Sequence, residues 1–563
     1  DFASISTASL ASLGTAQIVA ITTAQAQALS TRQAVALTSD QLVAMETTDF
    51  ASISTASIAA LKTAQVAALT TSEIVALTTA QIQSLTTAQA SALGTAQVVA
   101  LETADFASLT TRNIAALLTA QVVALTSDEI VALTSAQALS LTSDEVTALT
   151  TAQLVSMETA DFASLSTAAI QALATATVAV LSSADIIALT TAQAQALASA
   201  QAYALTSDQI AAMETRDVAV LATNAIAALS SDQIIALRTD QAQAIATQQV
   251  VALTTAQLVS LETQDFAALS TNSIAALLTA QIAALISDEL VALRTDQALA
   301  LTTQQIVALA TAQLAALETD DFSAISTRSV AALTTSQIFA ITTAQAQSLA
   351  TQQVAALGTS QIAALETPQD AVALSTNSIA ASLTSQVVAL TTTQAAALTS
   401  GQAFALTTAQ LVGMETADFA ALNTSAIAAL RTLQVVALTT AEIVALTTDQ
   451  AQALATQQVF ALTTAQVVAL ETQDFVALTT ANMSALQTAQ IAAITTSQAQ
   501  ALTSAQAVAL QTKQVAAIVT ADIAALTTLV VSSLTSEQIV ALRTDQVFAL
   551  TTQQAVALDT AQI

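Results

Sequence analysis

An eight-residue unit repeats along the whole chain, and this repeat restricts the fold more than any other feature. A full copy at Thr463 to Leu470 reads Thr-Thr-Ala-Gln-Val-Val-Ala-Leu, and a looser copy runs from Leu118 to Leu125. With Leu470 as position 8, an aliphatic residue or Met recurs at position 8 without a slip from Leu13 to Leu365. Self-similarity at a fixed period is typical of solenoids and arrays. We therefore predict one continuous octapeptide-repeat solenoid over residues 1–563 instead of several domains of ~150 residues.

Two stretches near the middle interrupt the count of eight. Glu366 to Leu374 has nine residues and contains Pro368, the only proline. Ser375 to Leu383 also reads as nine residues, and the next unit, which ends at Leu390, reads as seven. After Leu390 the eight-residue spacing continues, so we expect the solenoid to run through both irregular stretches.

A longer period is marked by the motif Glu-Thr-x-Asp-Phe. Its glutamates recur mostly after seven or six octads: Glu46, Glu102, Glu158, Glu214, Glu262, Glu318, Glu366, Glu415 and Glu471. The phenylalanines stand at position 5: Phe2, Phe50, Phe106, Phe162, Phe266, Phe322, Phe419 and Phe475, with Val218 in place of Phe in one copy. Aromatic residues at core spacing usually fill interiors, so we predict that they fill a corner or a wider gap. The alternative is a contact with another protein once per superrepeat.

The pattern within one octad fits a helix better than a strand. Position 4 is mostly Gln, Glu or Asp, position 5 usually aliphatic or Phe, position 7 mostly Ala or Ser, and position 8 Leu, Ile or Met. In a strand, positions 7 and 8 would face opposite sides, yet both are restricted. At ~100° per residue, positions 4, 5 and 8 share one stripe of a helix and the variable positions 3 and 6 lie opposite.

Polar residues mark the start of this helix. Thr or Ser at position 2 is placed to cap the first amides, and acidic residues follow it, as in Ser127-Asp128-Glu129. In this register the helix covers positions 3 to 8. Where position 1 is also Thr, a Thr-x-x-Gln capping box offers an alternative register. Pro368 follows Thr367 at the capping position, where a first-turn proline is tolerated.

A helix of under two turns is unstable alone and must bury its apolar stripe on its neighbours. We therefore predict an all-α solenoid of very short capped helices, one per octad, with positions 5 and 8 in a continuous core. Small residues at position 7 let the backbones of neighbouring helices approach each other closely. Because Thr and Val favour strands, a β-solenoid remains the alternative, although the scarcity of Gly argues against it.

The composition excludes several functions. The chain has no Cys, His or Trp, and 39 acidic against 10 basic residues give a net charge of −29. We predict no enzymatic activity and no cofactor, since a nucleophilic Ser or Thr lacks a base, and no nucleic-acid partner, since phosphates are repelled. Polar residues in every octad argue against membrane insertion. Glu102 and Asp105 are three residues apart and could share a Ca²⁺ ion, but two carboxylates are too few and helix capping explains the aspartate, so we predict no metal site.

Two resemblances bear on function. Leu205 to Ala212 resembles the helix-opening segment of TAL effector repeats, but over one octad only and without that family's base-reading loop, so no DNA binding is implied. Over its full length the chain is similar to the long Thr/Ala/Gln-rich repeat regions of secreted bacterial surface proteins and giant adhesins. This second resemblance implies an extracellular stalk, fibre or matrix component.

We therefore predict a structural protein of a bacterial cell surface that forms a fibre, stalk or surface layer, as a homo-oligomer or filament. Asp1 stands at position 4 and Ile563 at position 5, so we expect either a segment of a longer chain or ends that stack on other copies. The alternative function is an adhesin in which rows of Thr at positions 1 and 2 contact a glycan, ice or another surface.

Overall fold

The computed structural model describes residues 2–365, 368–560 and 562–563. In these ranges every regular element is helical: a 3-10 helix at Phe2–Ser4 is followed by a succession of α-helices of four to six residues, one per octad. The predicted all-α solenoid of very short helices is confirmed, and the β-solenoid alternative is wrong for the described residues. Two compact units, Asp1–Leu285 and Ile286–Ile563, make up the chain.

The helices share one register on the octad. They begin at position 2 and end between positions 5 and 7, as in Ser39–Val43, Thr103–Ser108 and Thr239–Ala244 of the first unit and Thr432–Ala437 and Thr464–Ala469 of the second. Position 1 is the N-cap, and position 8 has left the helix. The predicted cap at position 2 and helix over positions 3 to 8 are therefore one residue late, and the capping-box alternative is the register that forms.

The glutamine at position 4 explains this register. The Thr38 hydroxyl accepts a hydrogen bond from the Gln41 amide at 3.2 Å, and the Gln41 side-chain oxygen accepts one from the Thr38 amide at 2.8 Å. Where position 1 has no side chain, the second bond still forms, since the Gly94 amide donates to Gln97 Oε1 at 2.6 Å. Gln at position 4 thus fixes the N-cap three residues before it, whichever residue stands there.

The junction between helices consists of two extended residues. Leu37 at position 8 has φ −60° and ψ 142°, and Thr38 at position 1 has φ −75° and ψ 158°. No residue of the described chain has a positive φ. Left-handed backbone is the usual reason for glycine in turns, so this junction accounts for the scarcity of Gly.

Within each unit, a helix packs against the helix three octads later. Thr31–Ala36 lies on Thr55–Ala60 in the first unit, and Ser400–Ala405 lies on Thr424–Ala429 in the second. Positions 5 and 8 fill the core between them, as predicted. Val515 at position 5 is 0% exposed, whereas Val547, which has no helix three octads later to cover it, is 50% exposed. The next turn therefore contributes to the burial of position 5.

Successive turns are joined by the buried position-4 glutamines, which we call the glutamine seam. The Gln241 side-chain nitrogen donates to the carbonyls of Ile210 at 2.9 Å and Met213 at 2.7 Å, while its oxygen accepts from the Arg238 amide at 2.8 Å. In the second unit Gln466 makes the same set of bonds. The accepting carbonyls lie at the end of a helix, where the Ile210 carbonyl also accepts from the Met213 amide at 3.2 Å. Each seam glutamine therefore links the start of its own helix to the end of a helix one turn earlier.

The seam sets the length of a turn. Its hydrogen bonds span 28 and 31 residues, and the packed helices are three octads apart. A turn is therefore close to 28 residues, or three and a half octads. The seven-octad superrepeat of the sequence corresponds to two turns of this length.

The irregular stretch is accommodated within the same architecture. A helix begins at Pro368, as expected for a first-turn proline, while Thr367 lies outside the described residues. Gln386 donates to Leu357 across 29 residues, so the turn absorbs the extra residue. The reading of Ser375 to Leu383 as a nine-residue unit was wrong. Ser382 takes position 8 as the C-cap of Thr376–Ala381, and the exposed Leu383 is the next N-cap, so both units have eight residues.

Replacing a seam glutamine should weaken the stacking of turns far more than replacing a surface glutamine. Gln241→Ala removes three buried hydrogen bonds, and we expect a loss of about 2–4 kcal/mol in the free energy of unfolding. Gln243→Ala is the matched control, since Gln243 lies on the same helix but is exposed. Urea unfolding followed by circular dichroism measures both. Equal losses for the two variants would contradict the role of the seam.

Candidate functional site

The superrepeat octads replace the seam glutamine with aspartate. Asp265 is buried, and its carboxylate accepts a hydrogen bond from the Thr239 hydroxyl, 26 residues earlier, at 2.7 Å. The same pairing recurs along both units: Thr23 with Asp49, Thr79 with Asp105, Ser135 with Asp161, Thr392 with Asp418 and Thr448 with Asp474. These aspartates lie in the first turn of their helices, as predicted, and their hydrogen bonds to Thr or Ser give them a further role. They bind the previous turn.

The phenylalanine beside each of these aspartates lies in the core. The seven rings are 0 or 1% exposed: Phe50, Phe106, Phe162, Phe266, Phe322, Phe419 and Phe475. Since a ring buried to this degree presents no surface, the alternative of a contact with another protein has no support in the structure. Rings separated by seven octads are two turns apart, so they recur on the same side inside each unit.

A small residue faces most of these large rings. Ala242 stands three octads before Phe266, and the helix that carries it, Thr239–Ala244, packs against Thr263–Ala268. Five further pairs have the same spacing: Ala26 and Phe50, Ala138 and Phe162, Ala298 and Phe322, Ala395 and Phe419, Ala451 and Phe475. Ile82 occupies this place before Phe106.

This pairing fixes which octads face each other. If the stacking slipped by one octad, Phe266 would face Val250 or Ile234 instead of Ala242. Inserting extra methylene groups into a packed core costs about 1–3 kcal/mol. The Asp–Phe octad and its Thr–Ala partner three octads earlier form a register clamp, a name we keep for such a helix pair.

The carboxylates of the clamps are isolated from one another. Burial raises the pKa of Asp265, the Thr239 hydrogen bond lowers it in part, and the charge of Glu262 raises it further. Glu102 is exposed, whereas Asp105 is buried and bonded to Thr79. In the described ranges no three acidic side chains form a cluster that could hold a metal ion.

Arginine at position 1 adds a polar contact on the outer surface. The Arg238 guanidinium donates two hydrogen bonds to Asp240, both at 3.0 Å, and the Thr215 hydroxyl of the previous turn donates a third to the same carboxylate. These bonds lower the pKa of Asp240 to about 2. Arg294 with Asp296 and Arg543 with Asp545 repeat the ion pair. Because all these groups are exposed, their effect on stability is small.

Two kinds of groove line the outer surface. A polar groove of about 480 Å³ in the first unit is bordered by Thr86, Thr87, Thr110 and Thr111 from two stacked octads. Contact of such Thr rows with a glycan, ice or another surface stays a prediction. An apolar groove of about 680 Å³ in the second unit is lined by Phe460 and other residues that include Val436 and Ala485.

Position 6 is the main source of exposed apolar side chains. Its residues include Val123, Tyr203, Phe339 and Phe404, all more than half exposed. Among the described residues, no helix has the length and apolar character needed to cross a membrane.

Comparison with known families identifies the repeat. Twelve segments match the ALTTAQ repeat: residues 1–31, 42–79, 73–103, 98–135, 154–191, 178–215, 210–247, 258–295, 314–351, 411–448, 467–504 and 515–552. Together they cover well over half of the chain. The chain belongs to the ALTTAQ repeat family. A search of the curated proteins found no match.

The six residues that name the ALTTAQ repeat coincide with the junction described above. They occupy positions 7, 8, 1, 2, 3 and 4, which are the end of one helix, the two extended residues and the first turn of the next helix as far as the seam glutamine. The segment that names the family thus includes the residues that cap the helix and bond to the previous turn.

Removing a clamp ring should leave a cavity that the adjacent alanine cannot fill. We expect Phe266→Ala to lower the free energy of unfolding by about 3–5 kcal/mol. Phe460→Ala, at an exposed ring, is the control and should change it by less than about 1 kcal/mol. Hydrogen exchange of the helix Thr239–Ala244 locates the effect. Unchanged protection there would contradict the pairing of Phe266 with Ala242.

Proposed function

We propose that this ALTTAQ repeat protein is a structural, non-enzymatic component of a bacterial cell surface, where it forms a fibre, stalk or layer by self-association. The observation that carries the proposal is the glutamine seam. Within each unit, seam bonds join a helix to the one a turn earlier, as Gln81 does with Ile53 and Gln514 with Leu486. A force that separates two turns must break these buried bonds together with the apolar contacts beside them.

The chemistry of the chain suits such a role outside the cell. Because the protein has no His or Cys, it has few side chains that are readily oxidised or that bind transition metals. The net charge of −29 and the exposed Thr and Ser residues keep the surface hydrated. Nearest-neighbour stacking also allows repeats to be added without a new core, so length can vary while the local structure stays the same.

The apolar groove around Phe460 provides a surface for self-association. Phe460 is 53% exposed and Val436 is 42% exposed, and both lie at position 6 on helices that pack against each other, Thr456–Ala461 and Thr432–Ala437. Two exposed apolar side chains side by side gain more from a partner than scattered ones.

Self-association is tested by sedimentation velocity over a range of concentrations, together with electron microscopy. We expect larger species or filaments as the concentration rises, and a shift back towards monomer for the double variant Val436→Ser, Phe460→Ser. Leu433→Ser is the matched control, because Leu433 is also exposed but stands at position 3, outside this groove. A protein that stays monomeric and compact at every concentration would refute the filament.

The location is tested on intact cells of the source organism. Brief treatment with an added protease should release ALTTAQ peptides before any cytoplasmic marker appears. Recovery of these peptides only after lysis would contradict the surface assignment while leaving self-association open to the preceding test.

A further inference from the structure

Several seam positions carry glutamate in place of glutamine. Glu73, Glu129, Glu145 and Glu442 are each 2% exposed. One carboxylate oxygen, Oε2, accepts the N-cap amide just as glutamine does, with distances of 2.6 to 2.7 Å from the amides of Thr70, Thr126, Thr142 and Thr439. The other oxygen, Oε1, is buried without a hydrogen-bond partner in all four.

The unpartnered oxygen stands where glutamine places its donor. Gln153, in the octad after Glu145, donates to Val122 and Leu125, which are 31 and 28 residues earlier. The residues 31 and 28 positions before Glu145 are Ile114 and Leu117, whose carbonyls would be the corresponding acceptors. An ionised carboxylate has no proton to donate, so the Oε1 atom of Glu145 and these carbonyl oxygens are both hydrogen-bond acceptors. A protonated carboxyl group carries one O–H and can donate.

We propose that the seam glutamates Glu73, Glu129 and Glu145 are acid-responsive links between turns. When the pH falls, each takes a proton from solvent onto Oε1 and donates that O–H to a carbonyl of the previous turn, so the stacking of turns strengthens in acid. When the pH rises, the proton returns to solvent and the link is lost.

The charged groups around these glutamates are mostly acidic, and acidic neighbours favour the protonated form. Glu145 has Asp144 on its own helix, no ionisable residue on the packed helices Thr119–Ala124 and Thr167–Ala172, and Arg112 on the helix Thr111–Ile114 that ends at its facing carbonyls. The other two face only acidic groups: Asp128 and Asp105 for Glu129, and Asp49 and Asp40 for Glu73.

Burial is the main cause that raises the pKa of Glu73, Glu129 and Glu145, and the hydrogen bonds from their N-cap threonines oppose it only in part. A glutamate in the unfolded chain titrates near ~4.3. Between that pH and the higher folded pKa, the folded state binds more protons than the unfolded state. The free energy of unfolding therefore increases as the pH falls through this window, and the gain is complete below ~4.3.

Two opposite substitutions in the full chain test the proposal. Glu145→Gln supplies a permanent donor, and Gln153→Glu creates a new acid-responsive link one octad away. Glu537→Gln, at an exposed glutamate outside the seam, is the control. Hydrogen exchange detected by mass spectrometry at pH 5 and pH 7.5, corrected for the intrinsic exchange rate, gives the protection of the helices Ser143–Ala148 and Thr151–Ser156.

In the unmodified protein, protection of Ser143–Ala148 should be higher at pH 5 than at pH 7.5, by about twofold or more. Glu145→Gln should remove this difference by raising protection at pH 7.5, Gln153→Glu should introduce it into Thr151–Ser156, and Glu537→Gln should behave as the unmodified protein. The proposal is overturned if Glu145→Gln lowers protection at pH 7.5, or if Gln153→Glu weakens Thr151–Ser156 equally at both pH values.

Discussion

The fold depends on a buried side-chain amide that recurs in most octads. A glutamine side chain has both an acceptor and a donor, and its length lets it reach the N-cap of its own helix and the helix end of the previous turn together. A buried donor or acceptor that loses its partner costs about 1–3 kcal/mol, so each seam residue has a strong effect on local stability. Because these bonds span 28 and 31 residues, as for Gln241, they also determine how many octads form a turn. The two-turn superrepeat follows from that number.

A chain of nearly identical octads has a second requirement, which is to choose one stacking among many similar ones. The seam hydrogen bonds alone do not distinguish one stacking from another, since a glutamine stands at position 4 in most octads. The register clamps favour one stacking through volume: Phe266 stands opposite the small Ala242, whereas a slip of one octad would put the larger Val250 or Ile234 there, at a cost in packing. Distinct large and small residues at matched places let a repetitive sequence favour a single native stacking. The first role of the Glu-Thr-x-Asp-Phe motif is therefore in folding, and any contact with a partner is secondary.

Much of this architecture could be predicted from the sequence, because the apolar stripe at positions 5 and 8 has helical period and the helices are too short to stand alone. The predicted helix register is one residue late because Thr occurs at both positions 1 and 2. The residue that decides between them is the Gln three residues after the true N-cap. Ser382 was missed at position 8 because the neighbouring Leu383 looked like the core residue. The three-octad spacing between Ala242 and Phe266 was visible in the sequence. The Thr239–Asp265 bond was not, since nearly every octad offers a Thr or Ser at that position.

The most direct measurement of the turn length is disulfide trapping, which the absence of native cysteine makes unambiguous. Thr79 and Asp105 are in side-chain contact at 2.7 Å across one turn, so a Thr79→Cys, Asp105→Cys variant should form an intramolecular disulfide under mild oxidation. The pair Thr87→Cys, Asp105→Cys keeps the residue types but is displaced by one octad, and it should remain reduced. Fast cross-linking of the displaced pair, or equal rates for both, would contradict a turn of three and a half octads held by the seam.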